Sequence, residues 1–377
     1  MAIELIPGLE GVPIAESSVS FVDGQAGRLE YRGISVEELA ENSTFEETSY
    51  LLLYGKLPTQ SELAEFDHLL RTHRRLKYRI VDLIKCLPET GHPMDALQAA
   101  IAAIGMFYPQ RHNLDGPAKR LACSRLISKT PSVVAAFERL RRGDEHIVPR
   151  DDLTLSGNFL YMMTGKDPDP DHEHILDVAL ILHADHTMNA STFAGRVVGS
   201  TLADPYCVVS SALGALSGPL HGGANETAME LFQQIGKPES ARPVVEDMIA
   251  KKVKIPGFGH RVYKTLDPRA RILKRYAEQL SARSGKPTYE IAVEVEKIAV
   301  EHYGGKGIWP NVDFYSGIVY TELGIPKDCF TPIFAMARVS GWLSHWLEQL
   351  EGNRIFRPTQ RYNGRNNQPY LVMERRA

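Results

Sequence analysis

The chain contains little cysteine, with four residues in 377 and no C-x-x-C pair. The four are Cys86, Cys123, Cys207 and Cys329. Cysteines this far apart argue against a zinc knuckle and against a disulfide scaffold. Because so few cysteines are typical of a reducing compartment, we expect a cytoplasmic protein.

The sequence also lacks a secretory leader and a membrane span. Its start, MAIELIPGLEG, has no basic segment and no long apolar one, so no signal peptide is predicted. The longest uncharged stretch, residues 205–225, is rich in glycine and serine and predicts a buried helix that leads into a loop. With a net charge of −3, neither nucleic acid nor a membrane is expected as the main partner.

Repeated strand–helix units, a P-loop and a G-x-G-x-x-G turn after a strand are missing, which argues against a Rossmann or barrel enzyme. Helical patterns dominate, and the predicted fold class is all-α. The capping boxes SVEE (35–38) and TQSE (59–62) mark helix starts. Residues 115–129 and 131–143 predict two successive helices. Strand signals are weak, but SVSFVD and RLEYRG near the N-terminus predict a small hairpin.

Three stretches rich in glycine or proline interrupt the helical pattern, and each surrounds a titratable residue. They are SGPLHGGAN (217–225), PGFGHR (256–261) and WPNVDFYSG (309–317), which contain His221, His260 and Asp313. Glycine at such points lets the backbone approach a ligand closely. One such loop is a weak signal, but three of them supply a plausible acid–base set.

His221 precedes a predicted helix that Asn225 could cap. A helix N-terminus disfavours the imidazolium, so a neutral His221 would donate a hydrogen bond to a carbonyl oxygen that gains charge. A histidine that only supports a tight turn is the alternative at this position. Asp313 lies among aromatic residues that would raise its pKa and suit it to act as a general base. Its alternative is a helix N-cap.

Arginines in unusual settings point to an anionic ligand. Arg338 lies in the apolar segment FAMARVSGW, where a buried guanidinium needs a carboxylate from the protein or from a ligand. Arg269 closes the segment 256–269, and the C-terminal NRIFRPTQRYNGR carries four more arginines. Guanidinium binds carboxylate or phosphate through two parallel hydrogen bonds.

Several of these segments resemble signature segments of the citrate synthase family, in order and with similar spacing. They are SGPLHGGANE, PGFGHRVYKTLDPRA, WPNVDFYSG, FAMARVSGWLSHW and RPTQRYNG. HADHTMNAST resembles the family's oxaloacetate-binding histidine segment, and residues 8–47 resemble the start of the short bacterial and archaeal type. The likeness covers nearly the whole chain, and 2-methylcitrate synthases share it.

The resemblance implies a reaction and a role for each of the three titratable residues. Asp313 would take a proton from the methyl group of acetyl-CoA, and His221 would hydrogen-bond the thioester oxygen. His260 would polarise the carbonyl of oxaloacetate. Citryl-CoA would form and be hydrolysed to citrate and CoA, with no metal and no cofactor.

The resemblance also implies binding residues. The two carboxylates of oxaloacetate would be held by Arg269, Arg338, Arg357 and His186, with Arg357 reaching the site of the other subunit of a homodimer. The adenine of CoA would lie against a loop formed by Ile255, Pro256, Gly257, Phe258 and Gly259. Its phosphates would meet Lys306, with Arg261 and Arg361 as weaker candidates.

The fold implied by the family has two helical domains with the site in the cleft between them. Residues 1–222 and 325–377 would form the large domain, and residues 223–324 the small one. Closure after oxaloacetate binds would exclude water. The longer members carry an N-terminal extension linked to NADH inhibition and hexamers, and we expect a dimer without that NADH site here.

Three alternative functions share parts of this sequence pattern. The first is 2-methylcitrate synthase acting on propionyl-CoA, because one extra methylene changes binding by only about 1–3 kcal/mol. The second is a metal-dependent hydrolase built on the histidine pairs of HADH (183–186) and DHEH (171–174). The third is a CoA-binding relative without activity, which the three intact titratable residues oppose.

Overall fold

The computed structural model describes residues 5–376 and shows a mostly helical protein. Its small sheet has three antiparallel strands, β1 (Ser20–Asp23), β2 (Arg28–Tyr31) and β3 (Ile34–Ser35), in that order. Ser20 pairs with Tyr31 and Asp23 with Arg28, so the predicted hairpin is confirmed.

Sixteen α-helices lie in the described part of the chain, and the all-α prediction is confirmed. The first ten are α1 (Val36–Asn42), α2 (Phe45–Tyr54), α3 (Gln60–His73), α4 (Tyr78–Lys85), α5 (Pro93–Gly105), α6 (Gly116–Arg141), α7 (Leu155–Thr164), α8 (Pro170–His183), α9 (Ala190–Ser200) and α10 (Pro205–Leu216). The other six are α11 (Ala224–Ile235), α12 (Ala241–Ala250), α13 (Pro268–Ser284), α14 (Thr288–Tyr303), α15 (Val312–Glu322) and α16 (Phe330–Glu351). Within residues 5–376, no helix combines the length and apolar character that a membrane crossing needs.

The helix starts follow local side-chain chemistry. Thr59 forms a full capping box with Glu62 at the start of α3, as predicted. Ser35 accepts the backbone N–H of Glu38 at the start of α1. Asp267 caps α13 and is followed by a proline at the first helical position, where a missing N–H costs nothing.

The prediction of two helices over residues 115–143 was wrong, because α6 runs without a break through Pro131. A proline inside a helix removes one hydrogen bond and costs about 3 kcal/mol. Every residue of α6 from Leu126 to Glu138 is buried. Burial of so many apolar side chains offsets that cost, which local propensity alone does not show.

The core centres on α16, whose residues from Phe330 to Trp346 are all buried. It packs against α2, α6, α8, α9 and α10. Helices α11 to α15 make most of their contacts with one another, and α11 also touches α16. Three loops, 217–223, 251–267 and 307–311, lead into the N-termini of α11, α13 and α15. The first loop contains His221 and the second contains His260. The third leads directly to Asp313 in the first turn of α15.

The β1–β2 hairpin braces the second of these loops. Lys264 donates its backbone N–H to the carbonyl oxygen of Gly24 at 2.9 Å. A Cβ atom on Gly24 would lie 2.1 Å from the carbonyl oxygen of Val262, so only glycine allows this approach. The position of the loop that contains His260 therefore depends on the hairpin.

Candidate active site

His221 lies two residues before Gly223, the residue that caps α11. The prediction that Asn225 caps this helix was wrong, since Asn225 is buried within its first turn. The ring Nε2 of His221 accepts the backbone N–H of Ser191 at 3.2 Å and lies 2.8 Å from the Ser191 hydroxyl. Burial, together with the charge of Arg338, lowers the pKa of His221 to about 4. The ring is therefore neutral near pH 7, with its proton on Nδ1.

His260 is held in the opposite tautomer. Its Nδ1 accepts the backbone N–H groups of Val262 at 3.0 Å and Tyr263 at 3.2 Å, which leaves the proton on Nε2. Burial and the nearby charge of Arg269 lower the pKa of His260 to about 4. Like His221, it offers a neutral N–H donor at physiological pH.

Asp313 is the second residue of α15 and is partly buried. The alternative reading of Asp313 as the N-cap was wrong, because Asn311 caps the helix by accepting the Asp313 N–H at 2.9 Å. Within residues 5–376, no protein group hydrogen-bonds the Asp313 carboxylate. Burial raises its pKa to about 6, while the charges of Arg269 and Arg338 act against that rise. A carboxylate of this kind can accept a proton near neutral pH.

Arg269 is buried at the start of α13 and is fixed by Asp267. Its Nε donates to one carboxylate oxygen of Asp267 at 3.0 Å, and its Nη2 donates to the other at 2.8 Å. Asp267 also accepts the backbone N–H of Val312 at 3.2 Å. This carboxylate therefore ties the start of α13 to the start of α15, next to Asp313.

Arg338 is 1% exposed and has no carboxylate partner among the described residues. Its Nε donates to the carbonyl oxygen of His183 at 2.7 Å, and its guanidinium lies 4.5 Å from the ring centre of Phe334. Its Nη2 is buried without a hydrogen-bond partner in residues 5–376. Burial lowers the pKa of Arg338 to about 10, so the group stays charged at pH 7. A buried, charged and incompletely bonded guanidinium is suited to bind a ligand carboxylate.

His186 joins this cluster just beyond the end of α8. Its ring centre lies 5.0 Å from that of His260, and its Nε2 is 3.3 Å from the hydroxyl of Tyr263. Burial, and then the charge of Arg269, lower the pKa of His186 well below its usual value. The structure thus brings His186, His260, Arg269, Arg338 and Asp313 together, and His221 lies near enough for the charge of Arg338 to lower its pKa.

The loop 255–259, which is expected to contact the adenine of CoA, forms backbone hydrogen bonds with the segment 309–311 that leads to Asp313. Gly259 donates its N–H to the carbonyl of Trp309 at 2.9 Å, and Asn311 donates its N–H to that of Gly257 at 2.8 Å. Gly257 has a φ of 74°, and a Cβ there would lie 2.8 Å from Phe314. Ile255 and Gly257 are buried, whereas Pro256, Phe258 and Gly259 are partly accessible.

The remaining predicted residues lie on the surface. Lys306 and Arg261 are exposed beside this loop. Arg357 and Arg361 are exposed in the C-terminal segment, and Arg357 donates only to the carbonyl of Pro358, at 3.0 Å. A single chain therefore does not bring these two arginines to the cluster.

Sequence reasoning missed three supporting residues. Ser191 orients His221 and accepts the indole N–H of Trp342 at 3.0 Å. Asp267 fixes Arg269, and Asn311 caps α15 while donating to the carbonyl of Gly259 at 2.9 Å. The Asp-Pro pair at 267–268 is a recognisable cap signal, but Ser191 has no local signature.

The histidine pairs do not form a metal site. The Nδ1 of His183 lies 2.7 Å from the carbonyl oxygen of Ala179, so that ring nitrogen is already engaged within α8. In the described part of the chain, the one cluster with suitable ligand spacing is Glu138, Asp328 and Cys329. Arg141 is already bound to both Glu138 and Asp328 there. The geometry thus does not favour the hydrolase alternative.

Comparison with known proteins gives a consistent result. Residues 8–359 match the family model described as citrate synthase, C-terminal domain. The chain is 58% identical to a citrate synthase of Synechocystis sp. over 98% of its own length and 94% of the relative. It is 44% identical to citrate synthase 2 of Bacillus subtilis, over 98% of its length and 99% of the relative.

Solved structures agree. The citrate synthase of Pyrobaculum aerophilum superposes with a TM-score of 0.93 at 45% identity, covering 99% of this chain and 95% of that one. A complex of the Thermoplasma acidophilum citrate synthase with carboxymethyl coenzyme A and oxaloacetate superposes with a TM-score of 0.94 at 35% identity, covering 99% of this chain and 100% of that one.

Proposed function

Because this chain belongs to the citrate synthase family, whose members form citrate by acyl transfer, we propose that its site condenses acetyl-CoA with oxaloacetate and hydrolyses the product to citrate and CoA. The residue roles are supported by the charge states of Asp313, His221 and His260. The Asp313 carboxylate, which has a pKa near 6 and accepts no hydrogen bond from residues 5–376, shares a site with two histidines that are neutral at pH 7.

The first step is removal of a proton from the methyl carbon of acetyl-CoA. Asp313 accepts that proton on its carboxylate, and the electron pair moves onto the thioester oxygen. The Nδ1–H of His221 donates a hydrogen bond to this oxygen, which stabilises the enol or enolate as charge develops. Base and donor must act together because a C–H group beside a thioester is a weak acid.

The second step forms the carbon–carbon bond. His260 donates its Nε2–H to the ketone oxygen of oxaloacetate, so the carbonyl carbon becomes more electrophilic. The enol carbon attacks it, the carbonyl π pair moves onto the oxygen, and this oxygen takes the Nε2 proton of His260, which gives citryl-CoA; the proton released in the later hydrolysis restores His260. Water then cleaves the thioester, giving a carboxylate and the free thiol of CoA. All these steps use acid–base groups, and we propose that no metal or other cofactor takes part.

Oxaloacetate brings two carboxylates to the cluster of positive charge. Arg338 has an unpaired Nη2 to offer, while Arg269 is oriented by Asp267 and His186 lies beside His260. We propose that Arg357 of the partner subunit completes the clamp in a homodimer. In support, Arg357 is exposed and has no acidic partner among residues 5–376.

CoA would lie along the paired segments 255–259 and 309–311. The accessible backbone at Pro256 and Gly259 suits adenine, and exposed Lys306 suits a phosphate, with Arg261 and Arg361 as further contacts. We also propose that residues 223–324 form a small domain that closes on residues 1–222 and 325–377. All four cysteines are free thiols, in keeping with action in the cytoplasm.

Release of the CoA thiol, followed with a chromogenic disulfide reagent, tests this proposal. Acetyl-CoA and propionyl-CoA are compared over a range of concentrations, each with and without oxaloacetate, and the assays are repeated with a chelator. We expect release that requires oxaloacetate, with a higher kcat/KM for acetyl-CoA. Preference for propionyl-CoA would assign 2-methylcitrate synthesis instead. Absence of release from folded protein would refute the residue roles, and loss of activity to chelator would refute the metal-free scheme.

A further inference from the structure

The turn that presents His186 contains an unfavourable backbone conformation. Thr187, the next residue, has a φ of 50°, in the left-handed region. Among the described residues, it is the one β-branched residue with a positive φ. Branching at Cβ makes this region especially unfavourable, so other contacts must hold Thr187 there.

Two hydrogen bonds hold the Thr187 backbone. Its N–H donates to the hydroxyl of Ser20 at 3.0 Å and to the carboxylate of Asp185 at 3.2 Å. The Ser20 hydroxyl in turn donates to the same oxygen of Asp185. Ser20 is the first residue of β1, so a strand distant in sequence fixes this turn.

Asp185 is itself immobilised in the core. It is fully buried, and its carboxylate lies 3.2 Å from Nε2 of His345, which is 1% exposed. Gly341 of α16 packs directly against it, since a Cβ there would lie 2.3 Å from Asp185 Oδ1. The Gly341 N–H also donates to the carbonyl of Ala184 at 3.1 Å. The turn is therefore anchored on one side by α16 and on the other by Ser20.

The direction of the His186 side chain depends on this turn. The peptide between His186 and Thr187 carries the N–H that Ser20 and Asp185 bind. If that peptide rotated so that Thr187 could return to negative φ, the His186 ring would move relative to His260 and Tyr263. Without the Ser20 hydroxyl, Asp185 alone would hold the Thr187 N–H, through the longer of the two hydrogen bonds, and this rotation would become easier.

We propose that Ser20 is a positioning residue for oxaloacetate binding, which acts by holding Thr187 in the left-handed region so that His186 faces the ligand. This role rests on the proposed function, because it is expressed as affinity for oxaloacetate. The Thr187 side chain makes no hydrogen bond in residues 5–376, so its conformation and not its hydroxyl is what matters at this position.

The test uses Ser20→Ala, Thr187→Gly and the double variant in the full-length protein. Ser20→Ala is expected to raise the KM for oxaloacetate about tenfold, the factor that corresponds to one hydrogen bond, with a smaller change in kcat. Glycine enters the left-handed region without cost, so Thr187→Gly in the Ser20→Ala background is expected to return KM to within about twofold of the wild type. Thr187→Gly alone is the reference for the double variant, since it shows the effect of glycine with Ser20 in place.

Ser18→Ala is the matched control. Ser18 lies in the same segment and bonds Glu348 at 3.1 Å and Arg32 at 2.6 Å, but it does not touch the turn. An unchanged KM in Ser20→Ala, or an equal rise in Ser18→Ala, would overturn the proposal. Failure of Thr187→Gly to rescue Ser20→Ala would overturn it as well. An inactive wild type would instead count against the proposed function.

Discussion

The two imidazoles proposed to act in catalysis, those of His221 and His260, carry their protons on opposite ring nitrogens. Main-chain N–H groups occupy Nε2 of His221 and Nδ1 of His260, which leaves Nδ1–H and Nε2–H as the respective donors. Both pKa values lie near 4, so both donors persist unchanged from about pH 5 upward. Between pH 5 and 8, the group in the set that changes charge is therefore Asp313.

The pH dependence of catalysis is expected to report Asp313. Burial raises its pKa to about 6, and only the deprotonated form accepts a proton, so activity falls as pH decreases through this value. We expect kcat/KM for acetyl-CoA to fall about tenfold per pH unit below the apparent pKa. Oxaloacetate held by Arg269 and Arg338, as proposed, would offset their charges and move the pKa of Asp313 upward. Steady-state rates from pH 5 to 9 measure this decrease, the acidic limb of the pH profile.

Asp313→Asn is the companion variant. It should lower kcat by a factor of about 10² to 10⁴, the range typical of a lost general base, and its residual rate should lack the acidic limb. Asp95→Asn, which changes an exposed acid in the first turn of α5, serves as the control. A variant at Asp313 that kept both its rate and the limb would show that another group is the base.

Arg338→Lys is expected to raise the KM for oxaloacetate about 100-fold. Lysine retains the charge but loses the planar pair of donors that binds a carboxylate. Wild-type Tm should rise with oxaloacetate, and the variant should lose that rise. The control is Arg196→Lys, a buried arginine already bonded to Gln349 and Glu348. Wild-type affinity in Arg338→Lys would exclude Arg338 from the clamp.

At the scale of elements, the close approach of Gly24 in the β1–β2 hairpin to the Val262 backbone fixes the loop that contains His260. We expect Gly24→Ala to displace the Val262–Lys264 backbone, because the new Cβ would meet the Val262 carbonyl. KM for oxaloacetate should rise several-fold, and the free energy of unfolding should fall by about 1–3 kcal/mol. Kinetics and urea unfolding measure the two effects.

Gly116→Ala is the control for Gly24→Ala. An added Cβ at Gly116 would have no atom within 4 Å, and its φ is not positive. Kinetics of Gly24→Ala that matched those of Gly116→Ala would show that the hairpin does not set the position of the His260 loop.

A second element-scale prediction concerns the N-termini of α2 and α7. Asp177 accepts the Phe45 N–H at 3.0 Å and the Ser156 hydroxyl at 2.8 Å, close to buried Glu46. Burial, followed by the charge of Glu46, raises the pKa of Asp177 to about 8, from 3.8. Unfolding therefore releases a proton between about pH 4 and 8, and the group destabilises the fold progressively as pH rises.

Asp177→Asn removes this ionisation while keeping a side-chain oxygen acceptor. We expect the Tm of Asp177→Asn to rise relative to that of the wild type as pH increases from 5 to 8.5. The difference in the free energy of unfolding should grow by up to about 1.4 kcal/mol per pH unit. Thermal unfolding at several pH values measures it, with Asp171→Asn on the exposed face of α8 as control. Parallel curves for wild type and Asp177→Asn would contradict the assignment.

The elements themselves were largely predictable, and the failures have physical causes. Helix caps such as Thr59 and the hairpin follow from local residue chemistry, so the sequence pattern revealed them. Continuity of α6 through Pro131 depends on tertiary burial, which no local pattern encodes. His221, His260 and Asp313 were identifiable as unusual, but their convergence came from family resemblance. Ser20 and Ser191 act across long sequence separations and were missed for that reason.

At the scale of the whole molecule, the C-terminal segment after Glu351 packs little against the rest of the chain. Residues after Glu351 are mostly exposed, including Ile355, Tyr362, Tyr370 and Met373. Arg357 lies in this segment, and the chain brings it to no acidic group among residues 5–376. These features support the proposal that Arg357 binds in the active site of a second copy of the chain.

Mixed dimers test whether Arg357 acts in the partner's site. Arg357→Ala and Asp313→Asn chains are each expected to be nearly inactive alone. After unfolding and refolding together in equal amounts, half of the dimers are mixed, and each contains one intact site if Arg357 acts across the interface. Activity should then return to roughly a quarter of the wild-type value.

The control is the same refolding carried out with each variant separately, which should recover nothing. If Arg357 served its own chain, both sites of a mixed dimer would lack a residue and the mixture would stay inactive. Sedimentation measures the dimer content of each sample, so failed assembly is recognised independently of activity.

The amide contacts to His221 and His260 have an evolutionary consequence. The N–H groups that set their tautomers belong to the main chain of Ser191, Val262 and Tyr263. Nineteen of the twenty amino acids supply such a group, and proline alone does not. Substitutions at these three positions other than to proline therefore leave the proton of each imidazole in place, and selection on the side chains acts through their other contacts, such as those of the Ser191 hydroxyl with Trp342 and of the Tyr263 hydroxyl with His186.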